Sequence, residues 1–539
     1  AYGTLTGLPI FPPEWVFEPW AGGGGGRWRN GPLQDIALEQ MAAMKKFHEL
    51  DIPHSGFYAE GAGATFFGEY KKEELYKVVS FGERHGFKVF SWQFPNMTQE
   101  LAQELLPECP KEELPITRNK NDEEEKLPVY IDFSHPRAKE LLAAQWKDRM
   151  DAGIRGSMVD FGDVVPDEAV FYDGRRGDEM HNAYAYQYAK NYRELFEQKY
   201  GDDHVLYTRG AAPGSQHFAC QFGGDQLTSF QGLKYAIAGG LSAAASGLPF
   251  WGVDAGGYDG FPDQETYLRW TEYAAFCPLM RFHGTEPREP WEYDAFTVKV
   301  YRYYTWLREN LRPYIVSVAA EAHKLGIPMM RPLAMMYPED QEATKVWDEY
   351  LFGEDLLVAP VSDETEEREI YFPEGRWISL WNLNDEISGP VQRSVEVPID
   401  KIPVYIREGS FLPLRLNESL KLGESMSESE TEMILAVVPQ NDSIVKETLY
   451  ERSGAKTCCG MEKNGETIQL QISGRTAELY VMLAGMHWKN TEAIVNGRRL
   501  TKVTAREGLY FTEGYLELEE GILVKINPSA ESVIKIQKK

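Results

Sequence analysis

Cationic charge is scarce in this chain: 56 Lys and Arg stand against 83 Asp and Glu, a formal net charge of −27. That balance argues against nucleic acid or an anionic membrane as partner, since both are gripped by a basic face. It favours a neutral or cationic small substrate. Cysteine is scarcer still. Cys109, Cys220, Cys277, Cys458 and Cys459 have neither zinc spacing nor the even count of a disulfide framework, and the adjacent pair reads as reduced. No apolar run reaches the length that spans a bilayer. The opening residues, Ala1 to Leu8, lack the basic and apolar regions of a secretory signal, so a cytoplasmic protein is expected. The sequons at Asn96, Asn417 and Asn441 are discounted on the same ground. No GxGxxG or GxxxxGK[ST] is found. The glycines at 22–26 run into Arg-Trp-Arg-Asn-Gly rather than a helix start and read as a mobile loop, not a phosphate cradle.

What is present is globular: 43% of residues are apolar and 13% aromatic, in 539 residues, too many for one core. Strand and helix signals alternate from the start. Strands are expected at 16–20, 54–59, 88–94, before Asp160, at 205–208, 220–225, 249–253 and 279–283. Helices are expected at 33–50, 73–85, 136–152, 182–200, 231–246, 264–276 and 297–325. About eight such units fit an α/β fold, a closed (β/α)8 TIM barrel, over residues 1–345, with an acidic insertion at 96–128. After Pro338 short strands with turn residues between them take over, which predicts a proximal β-sandwich domain at 346–420 and a distal one at 421–539.

In a barrel of this kind the polar residues at the C-terminal strand ends share one cup. Gly156-Ser-Met-Val-Asp160 has the profile of a buried strand that ends in a carboxylate, and a buried acid is costly unless something uses or pairs it. Arg209, Asp225, Asp254 and His283 fall at comparable ends. Each has a plainer reading alone: a helix cap, a structural ion pair, a satisfied loop histidine. Their joint placement outweighs it. Two carboxylates from different strands suit glycoside hydrolysis, in which one attacks or stabilises an oxocarbenium-like centre and the other protonates the departing oxygen. Arg209 would hold a neighbouring aspartate ionised, and Asp254 and His283 suit vicinal hydroxyls. Trp92, Phe94, Phe222, Trp251 and Trp291 are candidate walls for the apolar faces of a sugar.

The sequence also resembles glycoside hydrolase family 31, the retaining α-glycosidases, from about residue 129 to 415. The resemblance rests on Ile131-Asp-Phe-Ser-His-Pro136, Val159-Asp-Phe-Gly-Asp163, Met180-His-Asn-Ala-Tyr-Ala-Tyr186, Arg209, Gly223-Gly-Asp225, Gly252-Val-Asp-Ala-Gly-Gly-Tyr258 and Arg281-Phe-His-Gly284. Met330-Arg-Pro-Leu333, Leu356-Leu-Val-Ala-Pro-Val361 and Lys401-Ile-Pro-Val-Tyr-Ile-Arg-Glu-Gly409 extend it. It implies that Asp160 is the nucleophile and Asp225 the acid/base. It makes Arg209, Asp254 and His283 sugar ligands, and it implies no cofactor and no metal. The implied function is exo-cleavage of a terminal α-linked sugar, α-xylosidase- or α-glucosidase-like, from an oligosaccharide or other α-glycoside. The alternatives are an α-galactosidase or sulfoquinovosidase-type member, a transglycosylase or lyase, and a non-catalytic carbohydrate-binding subunit. Two departures stand out. After the second strand, Tyr58-Ala-Glu60 lacks the Trp and Asp of many α-glucosidases, which implies either that Glu60 takes over hydroxyl binding or that the pocket is wider. The β-sandwich that precedes the barrel in family members is also missing. It is expected to have been removed, to lie on another chain or to have been absent from the start, and a homo-oligomer is the other partner considered.

Overall fold

The computed structural model describes residues 2–23, 33–63, 70–118, 129–427, 432–440, 444–475, 477–510, 512–528 and 531–539, without the side chains of 2, 23, 33–35 and 60. Most of the glycine run, the acidic residues 121–125 and the Asn441 sequon therefore lie outside the described residues. The chain forms two compact units, residues 1–299 with 323–327, and residues 300–322 with 328–539.

The first unit is built on eight parallel strands closed in a ring. They are β1 (Trp20–Gly23), β2 (Gly56–Ala59), β3 (Lys88–Gln93), β4 (Gly156–Val159), β5 (Val205–Thr208), β6 (Cys220–Phe222), β7 (Trp251–Asp254) and β8 (Leu279–Phe282). β2, β4, β5, β7 and β8 are buried at every residue, as strands covered by helices on one side and a packed lumen on the other must be. The longer helices are α1 (Leu33–Glu49), α2 (Lys72–Arg84), α3 (Ala138–Ala152), α4 (Gly177–Tyr200), α5 (Phe230–Ala245) and α6 (Gln264–Ala275), followed by α7 (Ala295–Leu325), most of which belongs to the second unit. Their ends follow from local chemistry. Ser229 caps α5 by accepting from Gly232 N–H at 3.1 Å, and Asp263 caps α6 through Thr266 N–H at 2.8 Å. α3 stops at Gly153, which turns left-handed with φ 102°.

The lumen is filled rather than hollow. Trp20 meets the Phe90 ring edge-on at 4.9 Å and Tyr207 at 5.5 Å. Glycine makes that packing possible, because a Cβ at Gly56 would lie 2.6 Å from the Phe90 ring and one at Gly156 2.7 Å from it.

Two departures from the expected pattern have physical causes. The stretch from Val16 to Trp20 was expected as the first strand. Instead Glu14–Phe17 forms a 3-10 turn after Pro12-Pro13, and the strand begins at Trp20 and runs into the glycines. Gly22 lies against the end of β8, where a Cβ would come within 2.7 Å of the Phe282 carbonyl and 3.1 Å of His283 Nδ1. Between β5 and β6 there is only a 3-10 turn, Ser215–His217, and the first residues of the chain lie over it. Ile10 N–H donates to the Gln216 carbonyl at 2.9 Å, Gln216 Nε2 donates to the Gly7 carbonyl at 3.0 Å, and His217 Nδ1 lies 3.0 Å from the Leu8 carbonyl.

The second unit holds three six-stranded sheets. The first contains β9 (Met330–Pro332), β10 (Tyr350–Phe352), β11 (Leu356–Val358), β12 (Glu367–Ser379), β13 (Glu386–Glu396) and β14 (Val404–Arg407), in the order β9-β10-β11-β14-β12-β13 with antiparallel neighbours. The other two sheets pack face to face. Leu435, Val481 and Val524 of one share a core with Ile468, Leu470 and Ile534 of the other. Among the described residues no helix is long and apolar enough to cross a membrane.

Candidate active site

Asp160 is the residue after β4 and is only 4% exposed. Three groups hold its carboxylate. Trp92, on β3, donates its Nε1–H to Oδ2 at 3.0 Å, and Phe161 N–H donates to Oδ1 at 2.8 Å. Arg209, the residue after β5, brings Nε to 3.5 Å from Oδ1 and 3.6 Å from Asp163 Oδ2. Burial pushes the Asp160 carboxyl up. Arg209, the indole N–H and the Phe161 N–H pull it down, and the charge on Asp225 adds to the rise. Phe161 takes a left-handed φ of 56°, uncommon outside glycine. Its ring lies 4.1 Å under the Arg209 guanidinium and 4.5 Å from Phe94.

Asp225 lies three residues past the end of β6 and is exposed. Its approach runs through Gly223 and Gly224. Gly224 has φ 75°, and a Cβ there would sit 2.8 Å from Arg209 Cδ. The loop that carries one acid is therefore laid against the arginine beside the other.

The floor is made of opposed charges. Asp254 ends β7, is 1% exposed and pairs with Arg281 of β8. The Arg281 guanidinium lies 4.8 Å from both the Tyr207 and the Phe222 rings. Burial raises Asp254 to about 7, with Arg281 opposing and Asp225 and Asp160 adding to the shift. Asp225 therefore acts on both buried aspartates, and Asp160 acts on Asp254 as well. His283, just after β8, is buried between Tyr58 at 4.3 Å and Tyr258 at 5.4 Å.

Two residues not singled out from the sequence hold these loops in place. Gln226 accepts from Asp254 N–H at 3.3 Å through its side chain and from Tyr258 N–H at 2.8 Å through its carbonyl. Arg288, 3% exposed, donates to the carbonyls of Gly257, Tyr258 and Gly260 after β7, and to those of Glu286 and Pro287 after β8. Each of these bonds runs to a backbone N–H or carbonyl, which almost every residue has, so sequence holds no sign of them.

The expected sugar walls separate. Trp92 lies on Asp160, and Phe94 is part of the adjoining aromatic group. Phe222 is 2% exposed and supports Arg281 from within the barrel. Trp251 faces α5, where a Cβ at Gly240 would lie 2.8 Å from its Nε1, and so sits between strand and helix. Trp291 packs 4.7 Å from Phe47 of α1, with Lys46 Nζ 4.5 Å over its ring. Glu60 falls in the short 3-10 turn Glu60–Ala62 after β2, with its side chain outside the described residues. None of the five cysteines is in a disulfide, and no group of three or more His, Cys, Asp or Glu suited to a metal ion is found among the described residues.

Comparison with known proteins agrees with this architecture. An isomaltosyltransferase of Sporosarcina globispora is 28% identical over 98% of this chain and 53% of its own length. An α-xylosidase of Saccharolobus solfataricus is 32% identical over 80% of the chain and 58% of its own length. The chain thus spans about half the length of these relatives. The solved structure of the cycloalternan-forming enzyme from Listeria monocytogenes superposes with a TM-score of 0.88 at 23% identity, over 100% of this chain and 55% of that one. Residues 10–318 match the glycosyl hydrolases family 31 TIM-barrel domain, and residues 326–412 match the family 31 C-terminal domain. With the barrel match alone covering more than half of its 539 residues, the chain belongs to glycosyl hydrolase family 31.

Proposed function

We propose that this chain carries the catalytic centre of a retaining, exo-acting α-glycosidase that forms a covalent glycosyl-aspartate. The supporting observation is the setting of Asp160, which is buried at a barrel strand end and met by Trp92 N–H, Phe161 N–H and Arg209, with Asp225 close enough to be felt electrostatically. A nucleophile has to remain an anion inside a dry cup. Two N–H donors and a guanidinium oppose the desolvation that raises the Asp160 carboxyl.

In the first step an Asp160 oxygen bonds to the anomeric carbon. The glycosidic bond breaks, and its oxygen leaves with a proton from Asp225. In the second step Asp225 takes a proton from an incoming hydroxyl, whose oxygen displaces Asp160 and restores its carboxylate. Exposure suits Asp225 to this exchange, because departing and arriving groups pass on its side. Asp254 and His283 would hold ring hydroxyls, with Arg281 fixing Asp254 from below.

The sugar proposed is a terminal α-glucosyl or α-xylosyl unit, in line with the α-xylosidase relative. A second reading, transfer to another sugar, is favoured by the isomaltosyltransferase, which aligns with almost the whole chain. In that case the incoming hydroxyl belongs to an acceptor sugar instead of water. A panel of nitrophenyl α-glycosides, with NMR of the first-formed anomer and with or without added isomaltose, tests both readings. Release of the α-anomer supports retention, and growth of longer products supports transfer. First release of the β-anomer would overturn the double-displacement assignment.

A further inference from the structure

Outside the barrel, the first sheet of the second unit holds a cleft of about 360 Å³ that the chemistry above does not use. Its walls include Trp381, Tyr405 and Val395, and Asp385, Glu396 and Lys401 complete it. The volume is at the low end of the range for small-molecule sites, about 300–1,000 Å³. The framework is fixed before any ligand arrives. Trp381 Nε1 donates to the Ile402 carbonyl at 2.6 Å. The Tyr304 hydroxyl donates to the Asp400 carbonyl at 3.1 Å and accepts from Ile402 N–H at 3.2 Å. Asp385 is anchored through its backbone, its carbonyl accepting from Ser379 N–H at 2.9 Å. The indole N–H is thus used within the protein, and Trp381 remains only half-buried.

We infer that this cleft is a second carbohydrate-binding site, which takes one or two adjoining rings of a neutral α-glucan. A half-buried indole beside hydrogen-bonding side chains matches a pyranose, whose faces carry C–H groups and whose rim carries hydroxyls. Asp385 and Glu396 accept from hydroxyls, and Lys401 donates to them. The two acids disfavour a phosphorylated or sulfonated sugar. They are also fewer than a hard cation requires, since calcium takes six to eight oxygens. The choice of a sugar rests on the glycosidase reading of the barrel, whereas the cleft's geometry does not depend on it.

The test is native gel electrophoresis of the full chain through dextran or soluble starch, using an Asp160→Ala background so that the polymer is not degraded. Retardation by at least one polymer is expected. Adding Trp381→Ala, or Asp385→Ala with Glu396→Ala, is expected to weaken binding about tenfold or more. In the wild-type background the same changes should leave nitrophenyl glycoside turnover within about twofold. The acid pair is a surface change and covers the case in which Trp381→Ala fails to fold. Unretarded parent protein, or retardation equal in parent and both variants, would overturn the site. Failure of the barrel reading appears elsewhere, as a chain with no glycoside turnover that is still held by the polymer.

Discussion

The two units of this protein both bury carboxylates, in different surroundings. In the barrel, Asp160 and Asp254 lie at strand ends, each beside an arginine, and both feel the exposed Asp225. In the sheet unit, Glu349 is 3% exposed and raised to about 8 by burial, yet both of its oxygens accept from Tyr371 N–H at 3.2 Å. A raised carboxyl therefore does not mark a reactive one. What separates the cases is placement: Asp160 stands at the end of a barrel strand, with the exposed Asp225 on the loop after β6 acting on it, whereas Glu349, beside Arg368 and Asp348, has both oxygens taken up by one backbone N–H.

The comparison breaks most readily at Asp160. Asp160→Ala is expected to lower kcat about 10⁴-fold or more with the fold intact, measured on an activated aryl α-glycoside with circular dichroism as control. Residual activity within tenfold of wild type would return Asp160 to the structural class. Next is Asp225→Ala, with an expected loss of about 10²- to 10⁴-fold on substrates with poor leaving groups and much less on dinitrophenyl glycosides. Added azide should rescue the second step and yield a glycosyl azide. An equal loss on both substrate types would remove the proton-donor role.

The barrel side of this contrast was legible in the sequence, and the Glu349 side was not. The run Gly156-Ser-Met-Val needs no tertiary help to read as a buried strand, and its terminal acid followed. Arg209, Asp254 and His283 were placed on the same logic, and all three stand at the ends of their strands. Trp251 shows a signal that was present and missed. It lies three residues before Asp254, and on a strand an odd separation puts side chains on opposite faces, so the two do not line one cup. The first strand was illegible for another reason. Glycine is a poor strand former, and only the approach of His283 and the Phe282 carbonyl explains its use at Gly22. Arg288 was beyond reach because its partners are carbonyls.

Smaller changes sharpen the contrast. Trp92→Phe keeps the ring and removes one donor to Asp160. With that stabilisation of the anion gone, the Asp160 carboxyl rises further, so the acidic limb of kcat/KM should move to higher pH. The rate at the optimum should fall about tenfold to a hundredfold. An unmoved acidic limb would show that the indole only packs. Glu349→Gln should leave turnover unchanged and alter stability instead. A carboxyl near 8 in the folded chain and near 4.5 when unfolded favours folding fully below about 4.5, and that contribution is lost as pH rises through 8. Melting temperatures at pH 5, 7 and 9 should accordingly fall less steeply in the variant than in wild type. Parallel curves would mean that Glu349 is already ionised in the native state.

One further consequence concerns protein engineering. Where a helix would ordinarily shield the barrel between β5 and β6, residues 2–10 lie across the Ser215–His217 turn, so they act as a borrowed staple. Expression variants shortened past Ile10 should be proteolysed near Gln216 sooner than the parent.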